Sequence, residues 1–224
     1  MQQQVITIAL ADALVTHRVA YEELLNAAKN YAFKVVMLAV NGTDLINRLE
    51  QAQALPEIVL LDINMPVMNG YRALRIIRSR WPQLKVLVLS GHRNDYTIAR
   101  VICDGANGFI SKQATPDELF VALQQIATTG FYHTDKVKSL LSKGTEELNR
   151  VYPHITEMEM EYLVHLYTHH TNNAIAGAMN ITVPQARNIQ QDLCRKLAYR
   201  QPAQLCLFAI HIGLIVNMEL MGVA

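Results

Sequence analysis

The chain has 224 residues, 51% hydrophobic and 17% charged, which suits one or two folded domains and excludes a disordered chain. Lys and Arg total 20 against 19 Asp and Glu, a formal charge of +1, so a basic field over the whole protein is excluded as a source of nucleic-acid affinity. Cys103, Cys194 and Cys206 are too scattered for a disulfide framework or a zinc cluster, and the apolar stretch 205–216 is broken by His211 and Gly213, short of the roughly 20 residues of a membrane span.

The opening MQQQVITIALAD lacks a basic segment, and a cytoplasmic protein is expected rather than a secreted one. Residues 5–10 form an apolar, β-branched run ending near Asp12, and 15–29 read as a helix. A second run, 34–40, leads into an Asn41-Gly42 turn and a short helix over 44–51. The third run, EIVLL (57–61), ends at Asp62. A helix over 70–79 stops before Pro82. The fourth run, KVLVL (85–89), ends at Ser90. A helix over 95–104 stops at Gly105, and a fifth run spans 107–110. Thr115-Pro116-Asp117-Glu118 is a helix cap with proline in the first turn, opening a helix to about Thr128. Uninterrupted apolar strands between amphipathic helices imply a parallel sheet covered on both faces. The expected fold is α/β, a doubly wound five-stranded flavodoxin-like domain over 1–130.

From about Asp135 the strand signals cease. Residues 135–149 read as a helix plus a polar connector, giving a helical linker over 131–152. Pro153 ends it. A helix over 156–169 opens on a Thr156/Glu159 capping box, and helices follow over 172–179, 183–198 and 202–212. An all-α domain of about four helices is expected over 153–224.

Asp12 follows the first strand run, Asp62 the third, Ser90 the fourth, and Lys112 lies just past the fifth. In a parallel sheet these ends converge on one crevice. The set has a chemical logic. A carboxylate can attack a phosphoryl group and hold it as an acyl phosphate. Donor and nucleophile are both anionic, so Mg²⁺ held by carboxylates is needed to offset their repulsion. A hydroxyl and an ammonium can then bind the phosphoryl oxygens.

Residues 5–130 resemble the receiver domain of two-component response regulators. LLDINMPVMNG (60–70) is similar to the phosphoacceptor loop of that family, and VLVLSG (86–91) and GANGFISK (105–112) are similar to its fourth-strand and fifth-strand signatures. The resemblance implies that Asp62 is the phosphoacceptor, Ser90 the switch hydroxyl and Lys112 the family lysine. Phe109 falls at the switch aromatic, and a plain core role is the alternative for that ring. The resemblance also implies metal ligation by Asp12, Asp62 and the backbone carbonyl of Asn64. One departure stands out. The family carries an acidic pair after the first strand, and this chain reads Asp12-Ala13. One carboxylate ligand is missing, and Mg²⁺ is expected to bind weakly, with water in its place.

The second half resembles a LuxR-type helix-turn-helix domain, through ITEMEMEYL (155–163), TNNAIAGAMNITVPQARNI (171–189), LCRKL (193–197) and QLCLFAIHIGLI (204–215). Together the halves resemble a NarL/FixJ-type response regulator. Ile175, Ala176, Met179, Ile181, Val183 and Ala186 supply the small and apolar contacts that lock two helices across a tight turn. Residues 183–198 would be the recognition helix. Expected DNA-contacting residues are Thr182, Gln185, Arg187, Asn188, Gln191, Lys196 and Arg200; amides can read adenine edges and arginine can read guanine. From Ile155 onward, however, four basic residues face five acidic ones, a weak charge for a phosphate-binding domain. A homodimer would double the basic count. Leu205, Phe208, Ala209 and Ile212, followed by the apolar tail Leu214, Ile215, Val216, Met218, Leu220 and Met221, are candidates for its contact, with packing back onto their own domain as the alternative.

Two further clusters favour bland readings. Glu161, His165, His169 and His170 lie on or near one helix but lack the HExxH spacing and a fourth ligand. Arg72, Arg75, Arg78 and Arg80 fit a solvated helix edge. The leading function is a transcription factor that is phosphorylated by a sensor histidine kinase and binds double-stranded DNA. The alternatives are a phosphorylation-independent regulator, motivated by Ala13, and a non-DNA interaction module, motivated by the weakly charged second half. An enzyme with an outside substrate is not expected, because Asn64 stands where a phosphatase would want an acid/base carboxylate.

Overall fold

The computed structural model describes residues 5–28, 30–169, 171–212 and 214. The chain divides into two units, Met1–Thr145 and Glu146–Ala224.

In the first unit, β1 (Ile6–Ala11), β2 (Phe33–Ala39), β3 (Ile58–Asp62), β4 (Lys85–Ser90) and β5 (Gly108–Ser111) form one sheet in the order β2-β1-β3-β4-β5. Every pairing is parallel. Helices α1 (Val15–Asn26), α2 (Gly42–Gln51), α3 (Gly70–Arg80), α4 (Asp95–Cys103) and α5 (Pro116–Thr129) alternate with the strands. All five residues of β3 are buried, as expected of a central strand covered on both faces. Fully burying one Val, Leu or Ile contributes about 1.5–3 kcal/mol.

Side-chain caps set the helix starts. Asn41, Asn69, Asn94 and Thr115 accept hydrogen bonds from the backbone N–H groups of Asp44, Arg72, Thr97 and Glu118. Asn41-Gly42, expected as a turn before a helix at 44, is instead the cap and first residue of α2. The expected stretch 135–149 splits in two. Helix α6 (Asp135–Leu141) and helix α7 (Thr145–Val151) are separated by Gly144 at φ +81°. Helix α6 packs on α4. Lys136 reaches Asp95 at 2.5 Å, and Val137 and Leu140 are buried. The stretch expected as a linker is thus divided between the two units.

The second unit contains α8 (Glu157–His169), α9 (Asn172–Ala178), α10 (Val183–Lys196) and α11 (Ala203–His211). The Thr156/Glu159 capping box forms, at 2.7 and 3.3 Å. The turn from α9 to α10 passes through Asn180 at φ +53°, a left-handed position that asparagine tolerates better than most residues. Ile175, Ala176 and Ala186 are buried where the two helices meet. Tyr162 donates to Asn172 at 2.7 Å, and Asn172 donates to Gln190 at 3.0 Å, tying α8, α9 and α10 together.

Candidate functional site

Strand register assembles the crevice. Ala11 pairs with Leu61, so Asp12 comes level with Asp62. Asp62 pairs with Leu89, one residue before Ser90, and Ser90 pairs with Ser111, one residue before Lys112. The four residues therefore step across neighbouring C-terminal strand ends, where the strand order reverses around β1 and β3 and such folds bind their ligands.

Asp12 and Asp62 are buried, at 0% and 2% exposure. The Lys112 ammonium lies 2.7 Å from Asp12 Oδ2 and 2.9 Å from Asp62 Oδ2. Asp12 Oδ1 accepts the Leu14 N–H at 2.9 Å, and Asp62 Oδ1 accepts the Asn64 N–H at 3.1 Å. Arg18 donates to the carbonyls of Asp12 and Ala13, at 2.6 and 3.0 Å, which clasps the β1–α1 loop. Burial pushes the Asp62 carboxyl up to about 6, with Lys112 opposing and Asp12 reinforcing the rise. Burial also works against the charge of Lys112, but Asp62 and Asp12 outweigh it and raise its pKa.

Gly70 is what lets the chain turn beneath Asp62. A Cβ there would lie 2.2 Å from the Asp62 carbonyl oxygen. Within the same loop Val67 is 83% exposed and takes φ +66°, a strained conformation for a β-branched residue. Ser90 is buried, and its Oγ accepts the His92 N–H at 3.0 Å. Phe109 is buried on β5. Among the described residues no three His, Cys, Asp or Glu side chains gather to hold a metal ion, so with Ala13 at the second position the crevice offers two carboxylates at most. One contact escaped the sequence reading. His17, on α1, places Nδ1 3.1 Å from Asp12 Oδ2 and 3.4 Å from Lys112 Nζ.

In the second unit, Thr182, Gln185, Arg187, Asn188, Gln191, Lys196 and Arg200 are all exposed, but three are already engaged. Thr182 caps α10, and Gln185 Oε1 accepts the Thr182 N–H at 2.8 Å in a capping box. The T-x-x-Q spacing is the readable signal for that box. Lys196 pairs with Glu159 at 2.8 Å, and this pair helps hold Glu159 below the usual carboxylate range against its own burial. Lys196 is thus a tie between α8 and α10. Arg187, Asn188 and Gln191 stay on the open face. On α11, Leu205, Phe208, Ala209 and the following Ile212 are buried, and the large apolar residues open to solvent are Leu207 and Ile210, 67% and 44% exposed. The expected dimer contact through the first four is corrected on that ground. They sit at core spacing, and the exposed side of the helix is the other one. Of the apolar tail, Ile215, Val216, Met218, Leu220 and Met221 lie outside the described residues.

The basic run on α3 also has structural partners. Arg78 donates to the carbonyls of Pro82 and Leu84 and to Asn107, Arg75 approaches Asp104 at 3.5 Å, and Arg80 pairs with Glu50. His165 and His169 stack with ring centroids 5.4 Å apart; His170 lies outside the described residues.

A buried pair of aspartates bridged by a lysine, at the C-terminal edge of a β2-β1-β3-β4-β5 parallel sheet, defines a receiver domain. The response regulator receiver domain family matches residues 8–124, and the chain belongs to the response regulators, in their NarL/FixJ-type branch of transcription factors. The transcriptional regulatory protein MctR of Rhizobium johnstonii is 31% identical over 164 residues, covering 73% of this chain and 75% of that one. The transcriptional regulatory protein DegU of Brevibacillus brevis is 29% identical over 199 residues, covering 81% and 84%. Among solved structures, RcsB from Salmonella enterica serovar Typhimurium, bound to promoter P1flhDC in the presence of phosphomimetic BeF3−, superposes with a TM-score of 0.66 at 17% identity, over 95% of this chain and 100% of that one. No helix among the described residues is long and apolar enough to cross a membrane. Neither the phosphorylation-independent nor the interaction-module alternative finds support in these likenesses.

Proposed function

We propose that Asp62 accepts a phosphoryl group from the phosphohistidine of a sensor kinase, and that this modification controls DNA binding by the second unit. An Asp62 oxygen attacks phosphorus, the P–N bond breaks, and its electron pair returns to the imidazole nitrogen of the donor. Lys112 is the pre-placed cation for the charge that gathers, and the Ser90 hydroxyl is the donor that turns to a new phosphoryl oxygen. Phe109 follows Ser90 as the switch ring. The oxygen-only donor set of Asp12, Asp62 and the Asn64 carbonyl fits Mg²⁺, which takes one or two carboxylates and keeps several waters. When bound, the ion supplies further neutralisation of phosphoryl charge. The observation that carries the reading is the Lys112 ammonium held between two buried carboxylates at 2.7 and 2.9 Å.

On the output side, Arg187, Asn188 and Gln191 are the base readers of α10, with Thr182 and Arg200 as phosphate contacts. Leu207 and Ile210 on α11 support a homodimer contact. The protein turns over no outside substrate and acts in the cytoplasm. The test is incubation with acetyl phosphate and excess Mg²⁺, read by intact mass, followed by a gel shift with and without the donor. Label on Asp62→Asn protein would overturn the phosphoacceptor assignment. Failure of both protein forms to shift any genomic fragment would overturn the DNA-binding one.

A further inference from the structure

His17 has no part in the reading above, yet it is a direct partner of the crevice. It sits on the first turns of α1, four residues after Ala13, and its ring turns back towards the strand ends. Three groups surround it. Asp12 Oδ2 lies 3.1 Å from Nδ1, Lys112 Nζ lies 3.4 Å from the same nitrogen, and Tyr21, one turn along the helix, meets the ring edge-on with centroids 6.5 Å apart.

At Asp12 the Oδ2 atom is then fully engaged, while Oδ1 keeps one lone pair. Oδ1 accepts the Leu14 N–H. Oδ2 has two lone pairs; Lys112 takes one and His17 the other. Lys112 directs two of its three N–H donors to carboxylates, and the His17 nitrogen lies closer to Asp12 than to Lys112, at 3.1 against 3.4 Å, which favours its use as a donor to Asp12. A cation that takes Asp12 Oδ2, the oxygen that shares the Lys112 ammonium with Asp62 Oδ2, must therefore displace a partner. Lys112 is 17% exposed and doubly ion-paired, whereas the His17 side chain is 39% exposed. His17 is the one free to swing out.

We infer that His17 is a positioning residue that guards Asp12, donating to its carboxylate in the resting crevice and giving way when a divalent cation enters. The inference rests on the reading of Asp12 and Asp62 as the metal-holding pair. Its consequence is additive with that of Ala13. One position supplies no ligand, and the other occupies a ligand that remains. The crevice then responds to Mg²⁺ at higher concentration than a receiver with an unobstructed acidic pair.

The test is Mg²⁺ titration of the whole protein, with Mn²⁺ electron paramagnetic resonance as a second probe and the ¹⁵N signals of the His17 ring as the spectroscopic readout. Four proteins are compared: the unaltered chain, His17→Ala, His17→Asn and Ala13→Asp. Asn places its amide nitrogen close to where Nδ1 lies and keeps the donor. The expected result is Mg²⁺ affinity raised roughly three- to tenfold in His17→Ala, the net scale of one ordinary hydrogen bond, as suits a partly exposed donor. His17→Asn should resemble the unaltered chain, and the ring signals of His17 should move as Mg²⁺ is added. Weaker binding in His17→Ala would make His17 a ligand and overturn the inference, as would unchanged affinity. If no protein binds, Ala13→Asp included, the metal reading of Asp12 and Asp62 fails and the inference falls with it. Thermal melting of each variant confirms that all are folded.

Discussion

Replacing Asp62 by Asn is expected to stabilise the protein, by an amount that depends on pH. The Asp62 carboxyl is 2% exposed, and burial lifts its pKa from 3.8 to about 6. For a group raised in this way, the stability it contributes is complete below about 3.8 and is lost as pH rises through about 6. A rise of about two units corresponds to about 3 kcal/mol, a cost fully present above about pH 7. Asn carries no charge, and its carbonyl oxygen can still accept the Asn64 N–H that Asp62 accepts at 3.1 Å. It gives up the 2.9 Å ion pair with Lys112, whose ammonium keeps Asp12 at 2.7 Å. The net gain at pH 8 is then about 1–3 kcal/mol, or about 3–10 °C in the melting of the first unit. Scanning calorimetry of both proteins in EDTA, at pH 4 and pH 8, measures it. The gap should be small at pH 4 and full at pH 8. An equal gap at both, or a variant that melts lower at pH 8, would refute the reasoning.

Below pH 6 the initial rate of Asp62 labelling by acetyl phosphate, followed by intact mass, should fall about tenfold per unit, because only the ionised carboxylate attacks; a flat profile from pH 5 to 8 would contradict the raised pKa. Gly70→Ala should cost at least about 1–3 kcal/mol and reduce labelling, since its Cβ would meet the Asp62 carbonyl at 2.2 Å, whereas Gly91→Ala, with nothing within 4 Å, should leave both nearly unchanged. By fluorescence anisotropy, Arg187→Ala should weaken specific DNA binding by about 1–3 kcal/mol. Arg200→Ala should instead lower the salt dependence by about one charge. Lys196→Ala should leave the salt dependence alone and lower stability by no more than about 1 kcal/mol, because its partly exposed pair with Glu159 is screened by water.

Strands and crevice were legible because both depend on local pattern. Short apolar runs end at the polar residues that become the strand ends, so Asp12, Asp62, Ser90 and Lys112 could be ordered before any register was known. Long-range pairing was not legible. Nothing around Lys196 points to Glu159, 37 residues earlier, and nothing around His17 marks it off from the solvent face of an amphipathic helix. Arg78 reads as one cation among four on α3, but the segments leading into β4 and β5 place the carbonyls of Pro82 and Leu84 and the side chain of Asn107 within its reach. The faces of α11 illustrate a different limit. Leu205, Leu207, Phe208, Ala209 and Ile210 are all apolar, so periodicity does not choose which side is buried.

The packing of α6 on α4 bears on how such a protein is divided and recombined. A receiver ended at Gly130, where α5 closes with a left-handed glycine at φ +88°, would lack Val137 and Leu140 and leave bare the side of α4 that they cover. Its exposed apolar surface would invite self-association unrelated to signalling. The natural seam lies beyond α6, at Ser142–Gly144, where all three residues are exposed and Gly144 takes φ +81°. A protease should find its first cut there, and a chimera that borrows this receiver should carry α6 with it.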